Sequence, residues 1–358
     1  MRIMKRIILH DQGFTVGGPK AVLDGIEKQI GHRHEFVRLL QKDSCGFNPI
    51  KAVKFILDYR KKINSLNADA IYICGLEYNG LLMTLAAKLS NVKRVILSVH
   101  GSYWDIKERS LRISLVKYLI EPLEVLLADK VFTVCEEAQR HIKALKFARK
   151  NCNAGVVYNM FPQDDYNSIP AGLFRMEYGV PSDSIVVAIV GRVCKDKGHQ
   201  YIIDAIKKFD DTRYVFVIVG IGDYIQEYER RCEDEIKEKR VILTGARNDV
   251  NNILKDSNIF LFATLHENHS IALLEAVNMR CAALVTNVGG NPEIIEDGKG
   301  GILIPVKDSD SIVDGLRKFA DHDMRKQCAD YSYSCAKDKF SFNNTYGKLD
   351  TILVDETR

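Results

Sequence analysis

IVVAIVGRVCKDKGHQYIIDAIKKFDDTRYVFVIVG, residues 185–220, begins and ends on runs that are apolar throughout, and between them HQYIIDAIKKF (199–209) carries its apolar residues at helical spacing. A strand that is apolar on every residue, instead of on alternate ones, is covered on both faces, as in a parallel sheet sandwiched by helices. The stretch therefore predicts strand, turn, helix, strand. The same alternation continues in both directions. Towards the C-terminus come RVILTG (240–245), IFLFAT (259–264), CAALVTN (281–287) and GILIPV (301–306), with the helical-period SIALLEAVNM (270–279) among them. Towards the N-terminus come AGVVYN (154–159), KVFTVC (130–135), RVILSVH (94–100), AIYICG (70–75) and RIILH (6–10). Repeated alternation of this kind predicts an α/β, doubly wound architecture.

The series breaks once. Residues 160–184 contain three of the eight prolines and no clear strand, which marks a linker. At 358 residues the chain exceeds the roughly 250–300 residues that one hydrophobic core supports. Two Rossmann-like domains are expected, 1–165 and 166–335, facing across a cleft, since ligands of such sheets bind outside the carboxyl ends of the strands. The polar and aromatic stretch from about residue 330 is predicted helical.

Hydrophobic residues make up 46% and charged residues 27%, ordinary values for a folded chain. The nine cysteines are scattered, mostly inside apolar runs and without a CxxC, which points to buried thiols in a reducing compartment instead of a disulfide framework or a zinc site. MRIMKRIILHDQG starts basic, but its three-residue apolar run reads as a first buried strand and not as a signal peptide. No run approaches the ~18 apolar residues that span a bilayer. Up to residue 165 there are 26 Lys and Arg against 17 Asp and Glu; beyond it, 25 against 30. A basic first half suits an anionic partner such as a lipid headgroup, and an ordinary solvated surface accounts for it equally.

Four places carry candidate chemistry. After the strand at 185–190, Arg192 and Lys197 put two cations in one turn, suited to a phosphate or diphosphate, although a solvated basic turn has the same composition. Beyond the strand at 259–264, Glu267 precedes a helix and Glu275 lies within it. Between them His269, Ser270 and Ile271 stand where backbone N–H groups point out of the helix N-terminus, an anion site. Gly289 and Gly290 allow a close backbone approach or simply a tight turn. In the first half, Gly17 and Gly18 lie in a loop that is neither GxGxxG nor a P-loop, so that phosphate contact and a plain turn both remain open. His100 closes its strand and faces a ligand cleft in this architecture, unless it is a structural histidine. His266-Glu267-Asn268-His269 is not HExxH and straddles a loop, so no metal site is expected. Asp308 and Asp310 read as helix caps.

With these pieces in order, the second half resembles the GT-B fold glycosyltransferases of glycosyltransferase family 4, through GRVCKDKG (191–198), VIVGIGD (217–223), RVILTGARNDVNNILKDSNIFLFAT (240–264) and ENHSIALLEAVNMRCAALVTNVGGNPEII (267–295). The first half is similar more loosely, through the GGPK loop, SVHGS, ADKVFTVCEEAQ and VVYN. The resemblance implies a nucleoside diphosphate sugar as co-substrate, retention of anomeric configuration, and no metal or other cofactor. It implies that Arg192 and Lys197 neutralise the diphosphate, that Glu267 contacts sugar hydroxyls and Glu275 the ribose, and that the amides of His269, Ser270 and Ile271 bind sugar and phosphate. His100 would lie near the transferred sugar, backbone about Gly245–Arg247 beside the base, and residues 336–358 would form a helix returning to the first domain.

Asn268 and Ser270 depart from the family, which has small residues there, and this leaves the sugar unread. The expected function is transfer to a glycan or lipid-linked acceptor in cell-surface polysaccharide assembly, with soluble disaccharide synthesis and a catalytically silent nucleotide- or glycan-binding scaffold as alternatives. The expected location is the cytoplasm, peripheral on the inner membrane face through contact of the basic first domain with anionic lipid. No nucleic-acid partner is expected.

Overall fold

The computed structural model describes residues 4–13, 18–42, 44, 46–105 and 110–355. The chain forms two compact units, Met1–Met160 with Phe342–Arg358, and Phe161–Ser341. Each is an α/β unit built on a six-stranded, all-parallel sheet.

In the first unit the strands are β1 (Arg6–Asp11), β2 (Glu35–Leu40), β3 (Ala70–Cys74), β4 (Arg94–Val99), β5 (Lys130–Thr133) and β6 (Asn153–Val156), in the order β2-β1-β3-β4-β5-β6. β3 is buried at every residue, as a run apolar throughout requires. The helix Pro49–Leu66 shows why local sequence makes local structure. Asn48 caps it by accepting from the Lys51 amide at 3.0 Å, Pro49 stands in the first turn where no N–H is needed, and Asn67 ends it in the left-handed region at φ 47°. Phe55, Tyr59 and Ile63 of this helix join Ile71, Ile73 and Leu97 in the core.

In the second unit β7 (Ile185–Val190), β8 (Tyr214–Val219), β9 (Val241–Gly245), β10 (Ile259–Phe262), β11 (Ala282–Thr286) and β12 (Gly301–Ile304) run in the order β12-β11-β10-β7-β8-β9. The helix His199–Lys208 buries Ile202, Ile203 and Ile206 against β7 and β8, each side chain contributing roughly 1.5–3 kcal/mol of transfer free energy. From β7 the chain winds outward to β8 and β9, then returns to the other side of β7 for β10, β11 and β12. The order therefore reverses between β7 and β10, where doubly wound sheets open a crevice for ligands.

The units divide at 160/161 and 341/342. Phe161 is buried in the second unit, its amide donating to the Phe340 carbonyl at 2.9 Å and its ring edge-on to Tyr333 at 5.5 Å. The C-terminal helix Tyr346–Val354 belongs to the first unit. Its buried Asp350 accepts from Arg33 at 2.5 Å and pairs with His34 at 2.8 Å, and Gly25 leaves the space that the Tyr346 hydroxyl fills.

Candidate active site

The loops that leave β7 and β10 at the reversal point carry the cations and the first carboxylate. After β7 the backbone turns through Gly191 (φ 145°), a tight turn at Lys195–Lys197 and Gly198 (φ 72°), conformations that favour glycine. A Cβ on Gly198 would stand 1.9 Å from the Ala263 carbonyl oxygen, so glycine at 198 lets this loop lie against the one after β10. Two bonds join the loops. The Asp196 carbonyl accepts from the Leu265 amide at 2.9 Å and from the Thr264 hydroxyl at 3.3 Å.

Across this junction Lys197 Nζ reaches Glu267 Oε2 at 2.7 Å, with both side chains about one-fifth exposed, and the ammonium lies 5.2 Å from the centre of the Phe262 ring. The pair links the two motifs that sequence treats separately. Arg192 is exposed at the mouth of the same turn, and its carbonyl accepts from buried His199 Nε2 at 3.2 Å. A carbonyl only accepts, so Nε2 carries the proton and Nδ1 accepts from the Tyr228 hydroxyl at 2.9 Å. Burial holds the His199 pKa down at about 4, which keeps the ring neutral. This histidine fixes the cation-bearing turn. The only sequence signal for it is its place behind Gly198 at the start of an apolar helix.

Glu267 is followed by buried Asn268, His269 and Ser270. The Asn268 amide donates to Glu267 Oε1 at 3.2 Å, and the Asn268 carbonyl accepts from the Gly290 amide at 2.7 Å. Gly289, at φ 53°, packs so tightly that a Cβ there would stand 1.5 Å from the Glu267 carbonyl oxygen. The double-glycine turn is thus the backstop of the glutamate loop. The Ser270 hydroxyl accepts from the Leu273 amide at 3.2 Å and caps the helix Ile271–Asn278. The His269 ring turns inward, edge-on to Phe340 at 4.7 Å. The residues at 269–271 therefore present backbone at the helix N-terminus, with the serine side chain engaged as a cap and the histidine ring in the core. Glu275, half-buried one turn further on, has its pKa raised to about 7 by desolvation, with the like charge of Asp164 adding to it.

The other sequence candidates stand on other elements. Arg247 pairs with both oxygens of Glu177, at 2.7 and 2.8 Å, and with Asp249 at 2.8 Å, so its guanidinium serves an ion-pair network that holds its pKa above the usual value. In the first unit, Gly18 begins the helix Gly18–Ile30, and Gly17 lies outside the described residues. His100 Nε2 shares a hydrogen bond with the Ser98 hydroxyl at 2.8 Å, and burial lowers its pKa to about 4. Asp308 caps the helix Ser309–Lys318 through the amides of Asp310 and Ser311, both at 3.0 Å. Among the described residues no group of three or more His, Cys, Asp or Glu side chains is placed to hold a metal ion.

Comparison with known proteins agrees with this fold. Residues 173–335 match the family described as glycosyl transferases group 1, and residues 18–130 match the glycosyl transferase 4-like family. The chain is 28% identical over 297 residues to the UDP-Gal:alpha-D-GlcNAc-diphosphoundecaprenol alpha-1,3-galactosyltransferase of Escherichia coli, covering 78% of this chain and 74% of that one. It is 23% identical over 350 residues to the capsular polysaccharide biosynthesis glycosyltransferase CapM of Staphylococcus aureus, covering 92% and 87%. The crystal structure of Anabaena Alr3699/HepE in complex with UDP and glucose superposes with a TM-score of 0.79 at 17% identity, over 98% of this chain and 99% of that one. Two family models that divide the chain between them, two parallel sheets of GT-B type and a run of glycosyltransferase relatives lead to one conclusion: the chain belongs to the GT-B fold glycosyltransferases of family 4 and is a nucleotide-sugar-dependent glycosyltransferase.

Proposed function

We propose that the chain transfers a sugar from a nucleoside diphosphate sugar to a hydroxyl of a lipid-linked glycan, with retention of anomeric configuration and without a divalent cation. The observation that carries this reading is the Lys197–Glu267 pair beside the capped N-terminus of the helix Ile271–Asn278. An ammonium has three protons, so Lys197 can hold the Glu267 carboxylate in place and still donate to a phosphate oxygen. As the diphosphate departs, its growing negative charge falls on Arg192, Lys197 and the amides that begin the helix, of which Lys197 and the amides are held in place beforehand. Glu267 then accepts from sugar hydroxyls and Glu275 from those of the ribose. With cations of the chain neutralising the leaving group, transfer should persist in EDTA; its loss there would overturn the metal-independent part.

The acceptor assignment draws on the E. coli relative, whose name specifies a diphosphoundecaprenol-linked substrate, on the capsular relative, and on the basic first half of the chain. It places the enzyme at the cytoplasmic membrane face in polysaccharide assembly, with the first unit binding the acceptor and the second the donor. Among the described residues no helix is long and apolar enough to cross a membrane.

The test is a thermal-shift panel of nucleotide sugars followed by transfer assays with the donor that stabilises most, since a ligand bound to the folded state alone stabilises by RT ln(1 + [L]/Kd). Lys197→Ala and Glu267→Ala are each expected to lower transfer by about 100-fold or more, the scale seen on removing one fixed group facing a developing charge. Near-normal turnover in both variants would sink the site assignment.

A further inference from the structure

Residues 111–126 reverse the usual placement of polar and apolar side chains. Three consecutive helical segments, Leu111–Leu115, Val116–Ile120 and Glu121–Leu127, make up this stretch. At helical spacing along the outside stand Leu111 (92% exposed), Leu115 (42%), Tyr118 (68%), Leu119 (57%), Leu123 (36%) and Leu126 (43%). On the inside, together with Val116, Ile120 and Val125, stand the carboxylates of Glu121 and Glu124, both fully buried. Glu121 accepts from the Ser102 hydroxyl and from the Tyr103 amide at 2.7 Å, and Glu124 is buried close to the like charges of Glu77 and Glu121. A helix facing water shows the opposite pattern, because leucines outside and carboxylates inside are both costly.

A second element extends the exposed apolar face. The helix Pro49–Leu66 turns Ile50 (81% exposed), Val53 (58%) and Leu57 (46%) outward, among exposed Lys51, Lys54 and Arg60. The two elements meet where the Arg112 guanidinium lies 5.1 Å from the centre of the Phe47 ring, just ahead of that helix. The acidic residues of these elements, Asp58, Glu121 and Glu124, are half-buried or buried, so that the charge offered outward is basic.

We propose that this face is the surface through which the first unit rests on anionic lipid. Leucine and tyrosine side chains enter the headgroup–acyl boundary, and Lys51, Lys54, Arg60 and Arg112 lie at the level of the phosphates. Charge decides the occupant. A second copy of the chain on this face would bring the same lysines and arginines against each other, whereas an anionic bilayer meets both the apolar stripe and its basic border. The inference deepens the reading of a membrane-borne acceptor and rests on it for its purpose, but it concerns residues outside the donor site.

The experiment is co-sedimentation of the full chain, without donor, with phosphatidylcholine vesicles containing or lacking phosphatidylglycerol. Wild type is expected to sediment with the anionic vesicles, less so as salt rises. Leu115→Glu with Leu119→Glu is expected to lower partitioning by about tenfold or more at any salt. Lys51→Glu with Lys54→Glu is expected to abolish the preference for anionic vesicles, again by about tenfold. All four side chains are exposed or nearly so, and an unchanged melting temperature together with unchanged donor-induced stabilisation will show that fold and donor site are intact. Wild type that ignores both vesicle types, or both variants sedimenting like wild type, overturns the proposal. So does a wild-type dimer that the leucine variant converts to monomer without any vesicle binding. Vesicle binding lost with transfer to a soluble acceptor preserved separates failure of this face from failure of the proposed reaction.

Discussion

Glu275 titrates near 7 because the surrounding protein strips water from its carboxyl and Asp164 adds a like charge. If it accepts from ribose hydroxyls as the carboxylate, the donor KM should rise as pH falls through 7, and Glu275→Gln should be weak and level across that range. Stability changes in a direction that follows from the same shift. Between the unfolded value of about 4.5 and the folded value of about 7, the native chain holds a proton that the unfolded chain has released, so this residue makes the fold less stable as pH rises. Glu275→Gln should therefore gain on wild type through that window and stay ahead above it, by about 1–2 kcal/mol once partial solvation is allowed for. Melting differences equal at pH 5 and pH 8 would refute the assignment. Gly18→Ala addresses the first-unit loop at the same scale. A Cβ there has open space around it, so the substitution should leave the melting temperature unchanged, and any loss of substrate binding would report a ligand approaching the backbone. The positions of Lys197 and Glu267 just past apolar runs were legible in the sequence, and folding brings the two together. Directions were not legible. That Ser270 turns its hydroxyl to the Leu273 amide, His269 its ring to Phe340, and Arg247 its guanidinium to Glu177 depends on residues that are neighbours only after folding.

Among elements, every strand of the second unit was readable as an apolar run; β8, β10 and β11 are buried at every residue, and the edge strands β9 and β12 in part. β2 was not. It is an edge strand with a single buried residue, Leu39, and its Arg38 is held by Asp24, Glu27 and Asp11 in a surface network, so EFVRLL has the composition of a half-wet segment. The turns between elements were legible by type, as glycine-containing or basic, but their tertiary task was not. The turn after β11 was readable as close approach or as tight geometry; in the structure it supports the Glu267 carbonyl. Gly289→Ala should on this account cost roughly 1–3 kcal/mol of stability, from left-handed backbone and displacement of the glutamate loop. It should also lower donor binding by more than an equally destabilising core substitution such as Leu316→Ala. Equal donor affinity for two variants of matched stability would show that the turn is merely structural.

For the molecule as a whole, buried titratable groups set two opposing dependences on pH. His10, His100 and His199 each have a folded pKa of about 4 because burial disfavours the imidazolium. Between pH 6.5 and 4 the unfolded chain takes up these three protons and the native chain does not, so the histidines destabilise the fold as pH falls. Glu121 and Glu275, with folded values of about 7, and Glu124, held well above the carboxylate range by complete burial, act in the other direction. Above about 4.5 the unfolded chain gives up these carboxyl protons while the native chain retains them, so they stabilise the fold as pH falls. The two sets overlap between about pH 4.5 and 6.5, and their slopes largely offset. The melting temperature should accordingly be shallow in pH across that window. It should drop below about pH 4, where Asp24, Asp129, Asp211 and Asp249, whose folded values lie below the ordinary one because of their basic partners, become protonated. Glu124→Gln separates the sets without touching the donor site. With one carboxyl withdrawn from the opposing group, the histidines are less compensated, so the variant should gain on wild type as pH rises from 4.5 and should lose stability more steeply than wild type on acidification. A wild-type melting temperature that falls steeply between pH 6.5 and 5, or a Glu124→Gln curve parallel to wild type, would mean that the inward carboxylates are not held as acids in the native chain.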